Sequence, residues 1–264
     1  MLTGRPTWPG ALCFTGLFVA SPTPGFDNTH IVIPTYNERD NIGRLIEEIA
    51  RLYGRDGVNV WVMDDNSPDG TGEVVVALGE RFPNVQAIVR TAHRGYGNAV
   101  ADGMRKALAT GAEFVLTMDA DFSHSPAVIG KMLDAARDAD LVIGSRYMQA
   151  GRAAVEDWSQ LRLWMSQLAN WYFRAMLDIS ARDNTSGFRC WRSDLLEKVL
   201  AQNLHASGYA FLTESLFYAA RAGARIVEVA NLYQGRTHGE SKLSTGVLLE
   251  SVWTALRLGL SRSR

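Results

Sequence analysis

Cysteine is scarce in this chain, its charge is balanced, and none of its apolar runs is long enough to cross a bilayer. Cys13 and Cys190 are the two cysteines in 264 residues, and their separation suits neither a disulfide framework nor a metal-ligand spacing. A reducing compartment is the expected home. A formal net charge of -1 excludes a nucleic-acid partner held by bulk electrostatics. A membrane span needs about 20 consecutive apolar residues, and no run reaches that length. Internal repeats and low-complexity tracts are absent too.

What remains is a chain with 47% hydrophobic residues, enough to bury a sizeable core in one large domain. Residues 1–28 stand apart, with Arg5 ahead of a short apolar stretch (residues 11–20), then Pro22, Pro24 and Gly25. The stretch has the length of a secretory h-region, yet a loose, disordered leader is the expectation. From Thr29 onward strand and helix patterns alternate, which predicts an α/β sheet. Ile31, Val32 and Ile33 form a first strand ended by Pro34. Ile42, Leu45, Ile46, Ile49, Leu52 and Tyr53 recur at helical spacing, with Asn37 or Asp40 as candidate caps. Further strands are expected at residues 58–63, 85–89, 114–118, 141–143 and 225–232. Helices are expected around Ala99 to Leu108, near residues 126–138, over a stretch from Trp158 to Leu177, and at residues 245–260.

The most informative stretch is residues 119–126, Asp-Ala-Asp-Phe-Ser-His-Ser-Pro, directly after the buried-strand pattern of residues 114–118. Asp119 and Asp121 can aim into one crevice, where a hard divalent cation would remove their repulsion and also hold phosphate oxygens. Such a strand feeding Asp-x-Asp points toward nucleotide-sugar chemistry. Other strand ends carry polar clusters as well: Pro34 to Glu38, Asp64 with Asp65, and Gly144 to Arg146. Ligands of open α/β sheets sit beyond the carboxyl ends of the strands, so these clusters define one rim. Asp64 and Asp69 can equally serve turn formation and helix capping.

Residues 34–39 (Pro-Thr-Tyr-Asn-Glu-Arg), 64–71 (Asp-Asp-Asn-Ser-Pro-Asp-Gly-Thr), 119–126, 144–147 (Gly-Ser-Arg-Tyr) and 239–242 (Gly-Glu-Ser-Lys) together resemble the dolichol-phosphate (polyprenol-phosphate) mannose synthases of glycosyltransferase family 2. The likeness runs in order over residues 29–245. It implies the GT-A fold, a Rossmann-like mixed sheet flanked by helices over residues 29–244, with peripheral amphipathic helices that include residues 245–264. It implies a Mg2+ or Mn2+ cofactor held by Asp119 and Asp121, with Ser123 as a further oxygen ligand and the Ala120 backbone alongside the nucleotide. Pro34, Tyr36, Glu38, Met63 and Asp65 match positions that bind base and ribose. Arg146, Arg236 and Lys242 match substrate-phosphate positions; Arg162 and Ser166 match acceptor-phosphate positions, after a loop of different length.

The implied reaction is inverting transfer of mannose from GDP-mannose to a dolichyl or polyprenyl phosphate. Asp121, Arg146, Arg236 and Lys242 are the expected catalytic residues. Transfer from UDP-glucose or another nucleotide sugar is the alternative within the superfamily, and a catalytically silent lipid-phosphate module is the alternative outside it. The processive Gln-x-x-Arg-Trp motif is missing, which favours single-sugar transfer, and so is the N-terminal Gly-rich loop of sugar nucleotidyltransferases. Trp158, Trp164, Trp171 and Tyr172 share an expected helix with Arg162 and Arg174, and Trp253 lies among Arg257, Arg262 and Arg264. Aromatics mixed with basic residues suit a membrane-interface helix, so the expected location is cytoplasmic, peripheral at the membrane face. Leu212-Thr213 departs from the resembled pattern, which leaves a sugar-positioning role for Glu214 open; His124 is expected to be structural.

Overall fold

The computed structural model describes residues 28–55, 57–147, 160–231 and 245–261. The expected leader therefore lies outside the described residues, as do Trp158, Arg236, Lys242, Arg262 and Arg264.

Among the described residues seven strands and eight α-helices follow one another: β1 (Thr29–Thr35), α1 (Arg39–Tyr53), β2 (Asn59–Asp64), α2 (Thr71–Gly79), β3 (Val85–Val89), α3 (Tyr96–Ala109), β4 (Phe114–Thr117), α4 (Ile129–Ala136), β5 (Leu141–Ser145), α5 (Gln160–Leu177), β6 (Arg189–Arg192), α6 (Ser193–Leu200), α7 (Ala210–Arg221), β7 (Ile226–Ala230) and α8 (Thr245–Ser261). A short 3-10 turn, Pro126–Val128, leads into α4. The strands form one sheet in the order β3-β2-β1-β4-β6-β5-β7. β6 runs antiparallel to both neighbours, and the other pairings are parallel. This is the expected mixed α/β sheet.

Alternation along the strands divides the core. Val32, Trp61 and Met63 face α3, α5, α7 and α8, whereas Ile31, Ile33, Val60 and Val62 face α1, α2 and α4. Side chains that point to opposite faces at successive positions make both faces of a covered sheet apolar, hence the near-continuous hydrophobic strands. Each fully buried aliphatic contributes roughly 1.5–3 kcal/mol. α8 joins the first face through Ala255 and Leu258. Among the described residues no helix is long and apolar enough to cross a membrane.

Neither expected cap holds the start of α1. Glu38 occupies the cap position without a side-chain cap bond. The 69–71 loop does that work instead: Arg39 N–H donates to Asp69 Oδ2 at 3.1 Å and Glu38 N–H to Thr71 Oγ1 at 3.0 Å. Register then fixes the rim. Thr35 pairs with Asp64, and Ser145 with Ala230, so the parallel strands end side by side.

Candidate active site

The turns after β1, β2, β3 and β4 each hold a non-glycine residue at positive φ: Asn37 (57°), Asn66 (54°), His93 (50°) and Phe122 (63°). Asparagine tolerates this region; a bulky aromatic rarely does. Phe122 directly follows Asp121, the second of the two carboxylates of interest. There Asp121 Oδ1 accepts the Ser123 N–H at 3.0 Å, an Asx-turn that tightens the loop. Asn231, just past β7, braces the same loop: it donates to the Ser123 carbonyl at 3.1 Å and accepts the Ser125 N–H at 3.2 Å.

Beside this loop opens a cleft of about 350 Å³ lined by Pro34, Tyr36, Asp65, Arg94, Tyr96 and Tyr209, among others. Tyr96 and Tyr209 stack with centroids 4.4 Å apart. Tyr96 Oη donates to Asp119 Oδ1 at 3.2 Å, which ties the cleft wall to the first aspartate. Burial first, and then the Asp119 charge, raise the Tyr96 pKa well above 10, so it remains a donor. Gly187 permits this arrangement: a Cβ there would stand 2.4 Å from Tyr96 Oη and 3.6 Å from Asp119 Oδ1. His124 Nδ1 accepts the Asp119 N–H at 2.9 Å, and its ring stacks on Phe188 at 5.0 Å. Burial lowers the His124 pKa despite the neighbouring carboxylates, so at neutral pH it is an uncharged brace, the structural role expected of it. Asp65 accepts from buried Arg90 and, at 2.7 Å, from the Gly95 N–H.

Asp64 proves to be a turn-former, accepting from Thr35 Oγ1 (3.0 Å), Ser67 N–H (2.9 Å) and Ser67 Oγ (2.5 Å). Met63 is 2% exposed against α3, below the cleft and outside its lining; Ala120 is buried in the opposite core. Glu38 bonds Asn41 Nδ2 at 3.0 Å at the head of α1.

The other side of the rim carries Arg146. Its guanidinium grips Asp183 through Nε (2.8 Å) and Nη2 (2.6 Å) and Thr185 Oγ1 at 2.7 Å. Burial opposes the charge on Asp183, but Arg146 outweighs it and holds this carboxyl below the ordinary range. Glu228 on β7 accepts the N–H groups of Arg182 and Asp183, each at 3.0 Å, and so fixes the loop. Arg146 lies over the Tyr147 ring at 5.9 Å, and Tyr147 Oη meets Ser166 Oγ on α5 at 2.5 Å. Arg162 lies on the first turn of α5. Both sides of the rim fall within electrostatic reach of His124, which feels Asp119, Asp121, Arg146 and Asp183 together. Sequence reasoning missed Asp183, Tyr96 and Tyr209. Tyr96 opens α3 in a Gly-Tyr-Gly stretch beyond the loop that follows β3, a strand-end signal like the others.

The donor set of the Asp119–Ser123 loop fits a hard divalent cation, since it offers carboxylate oxygens. No group of three or more His, Cys, Asp or Glu that could hold a metal occurs among the described residues, so substrate oxygens and water would complete such a shell.

With a carboxylate pair just past β4 beside an aromatic cleft, the chain also matches the family model for "Glycosyl transferase family 2" over residues 30–200. The chain belongs to glycosyl transferase family 2. This glycosyltransferase is 37% identical over 234 residues to the undecaprenyl-phosphate mannosyltransferase of Micrococcus luteus, covering 87% of this chain and 93% of that protein. It is 35% identical over 234 residues to the polyprenol monophosphomannose synthase of Mycolicibacterium smegmatis, covering 88% and 87%. The dolichol-phosphate mannosyltransferase of Pyrococcus furiosus is 36% identical over 233 residues, covering 86% of this chain and 62% of the longer archaeal protein. The GT-A fold is shared with the glucosyl-3-phosphoglycerate synthase of Mycobacterium tuberculosis, solved with Mn2+, UDP and phosphoglyceric acid (TM-score 0.64, 20% identity, 88% of this chain and 78% of that one).

Proposed function

We propose that this glycosyltransferase moves mannose from GDP-mannose to a dolichyl or other polyprenyl phosphate, giving a β-linked lipid phosphomannose. The observation that carries this reading is the pair Asp119 and Asp121 beside the Pro34–Tyr36–Asp65 cleft, with Arg146 across the same loop cluster. The names of the curated relatives support the sugar and the lipid class.

Asp119 and Asp121 would hold Mg2+ or Mn2+, which when bound neutralises the charge that builds on a leaving nucleoside diphosphate. Tyr96 keeps Asp119 turned toward the cleft. Asp65 has carboxylate lone pairs beyond those taken by Arg90 and Gly95, and these suit ribose hydroxyls or guanine N–H groups; Pro34, Tyr36 and Glu38 complete that side, with Met63 supporting it from below. A phosphate monoester has a second pKa of roughly 6, so the acceptor is largely dianionic near neutral pH and attacks without a protein base. What it requires is cations, because the donor is anionic too. Arg146, pre-aligned by Asp183, and Ser166 are the described candidates, with Arg162, Arg236 and Lys242 as further ones. Attack opposite the leaving group inverts the anomeric centre.

The acceptor lipid also needs an apolar approach. Trp164 (72% exposed), Leu168, Trp171, Trp253 (70%) and Leu260 are bared on α5 and α8, with Arg174 exposed at the end of α5. We read this face as the seat on a lipid surface, at the cytoplasmic side where nucleotide sugars are found. The test is a donor panel with purified protein, Mg2+ or Mn2+ and a short polyprenyl phosphate. GDP-mannose should be consumed at least tenfold faster than UDP-glucose at equal concentration, a gap within reach of one lost polar contact. Equal or better use of UDP-glucose overturns the donor assignment.

A further inference from the structure

Glu214 on α7 is fully buried, yet three donors converge on its carboxylate. Oε2 accepts the N–H groups of His205 (2.9 Å) and Ala206 (2.8 Å), and Oε1 accepts Arg257 Nη2 of α8 at 2.5 Å. The two backbone donors belong to the segment that joins α6 to α7. The next residue, Ser207, uses its carbonyl to accept the N–H of Gly97 at 2.8 Å and of Asn98 at 3.3 Å, at the start of α3. Gly208 lies against Glu250 of α8, whose Oε2 would stand 2.7 Å from a Cβ there. Tyr209 follows, stacks on Tyr96 and lines the cleft. Gly95 closes the path from the other side: at φ 129° it brings its backbone so near Ser207 that a Cβ would meet the carbonyl oxygen at 2.7 Å.

We propose that Glu214, clamped by Arg257, is a positioning residue for the donor. It fixes the backbone of residues 205–209 and so aims the Tyr209–Tyr96 wall into the cleft and, through Tyr96, sets Asp119. The role rests on the reading of that cleft as the nucleotide-sugar site. Neither residue lines the cleft. Loosening the clamp should weaken the binding of donor and of transition state alike, which raises donor KM and spares kcat.

The test combines GDP titration calorimetry in Mn2+ with steady-state kinetics on the wild type, Arg257→Ala, Arg257→Lys and Glu214→Gln. Arg257→Ala should raise the GDP Kd and the donor KM about tenfold, with kcat and acceptor KM within about twofold. Arg257→Lys keeps a cation beside the buried carboxylate and should recover donor KM to within about threefold of wild type. Glu214→Gln preserves the shape of the buried side chain and should move donor KM in the same direction as Arg257→Ala. Parallel rises in donor and acceptor KM, a fall in kcat alone, or no rescue by lysine would assign the pair to general stability and overturn the proposal. Wild-type protein that takes up no GDP sinks the cleft reading and this inference together. Normal uptake by the wild type, matched by Arg257→Ala, sinks this inference alone.

Discussion

On the β1–β2–β4 side of the rim carboxylates gather, held by backbone N–H groups, short turns and, for Asp65, the buried Arg90; on the β5–β6 side the charge is a guanidinium, held by a carboxylate. Asp121 takes the Ser123 N–H within its own loop, whereas Asp65 takes the N–H of Gly95, 30 residues on, and the buried Arg90. Arg146 is placed by Asp183, 37 residues away, itself anchored by Glu228. The difference teaches that Asp121 is set by a single loop, whereas Arg146, like Asp65, needs distant segments to be folded against one another. It also separates what each half can lose. Loss of Asp121 removes chemistry and leaves the scaffold; loss of Asp183 removes the support of a cation.

The largest expected effect breaks the first half. Asp121→Ala should lower kcat by at least about 10²–10³, the range for removal of a single preorganised electrostatic group, while the thermal midpoint stays near that of the wild type. An active variant would remove Asp121 from the metal assignment. Next comes Asp183→Asn, which leaves Arg146 without its counter-charge. A guanidinium only 17% exposed, facing a partner at 0%, makes this a buried pair, and its disruption should cost about 3 kcal/mol in urea unfolding and raise acceptor KM. The pH dependence carries the same signature. The folded-state pKa of Asp183 is depressed, so its contribution is fully present above the ordinary carboxylate pKa of about 3.9 and is lost only as pH falls below that value. A wild type and Asp183→Asn whose stabilities converge already at pH 6 would contradict the pairing. The smallest effect is on the outer face: Trp164→Ser with Trp253→Ser should change stability by less than about 1 kcal/mol, since both rings are already in water. Partition onto anionic vesicles should fall severalfold in a sedimentation assay; unchanged partition would move the lipid seat elsewhere.

The contrast also explains what could be read before the fold was known. Strands β1 to β5 are visible as apolar runs, and the carboxylates of β2 and β4 stand at strand ends where ligands of such sheets gather. Asp183 and Gly187 escape that rule because β6 is antiparallel. Its rim loop precedes the strand instead of following it, so a search along carboxyl ends passes them by. β6 itself has four residues, too few for a period. α7 hides for the opposite reason, since nine of its twelve residues are buried and no polar stripe marks it. α2 carries three successive valines between glycines, a composition that reads as strand until packing against α1 and β3 decides. Glu214 was visible as a residue but not as a clamp, because its donors come from α8 and from the loop before α7.

The position of Arg257 has a practical consequence for handling the protein. Through Arg257, α8 supplies the cation that pairs with a carboxylate shut off from solvent. Trimming the chain ahead of that arginine, to improve yield or to shed the greasy C-terminal face, would strand the anion in the interior. Solubility work should therefore exchange the outward tryptophan and leucines for polar residues and leave the helix at full length.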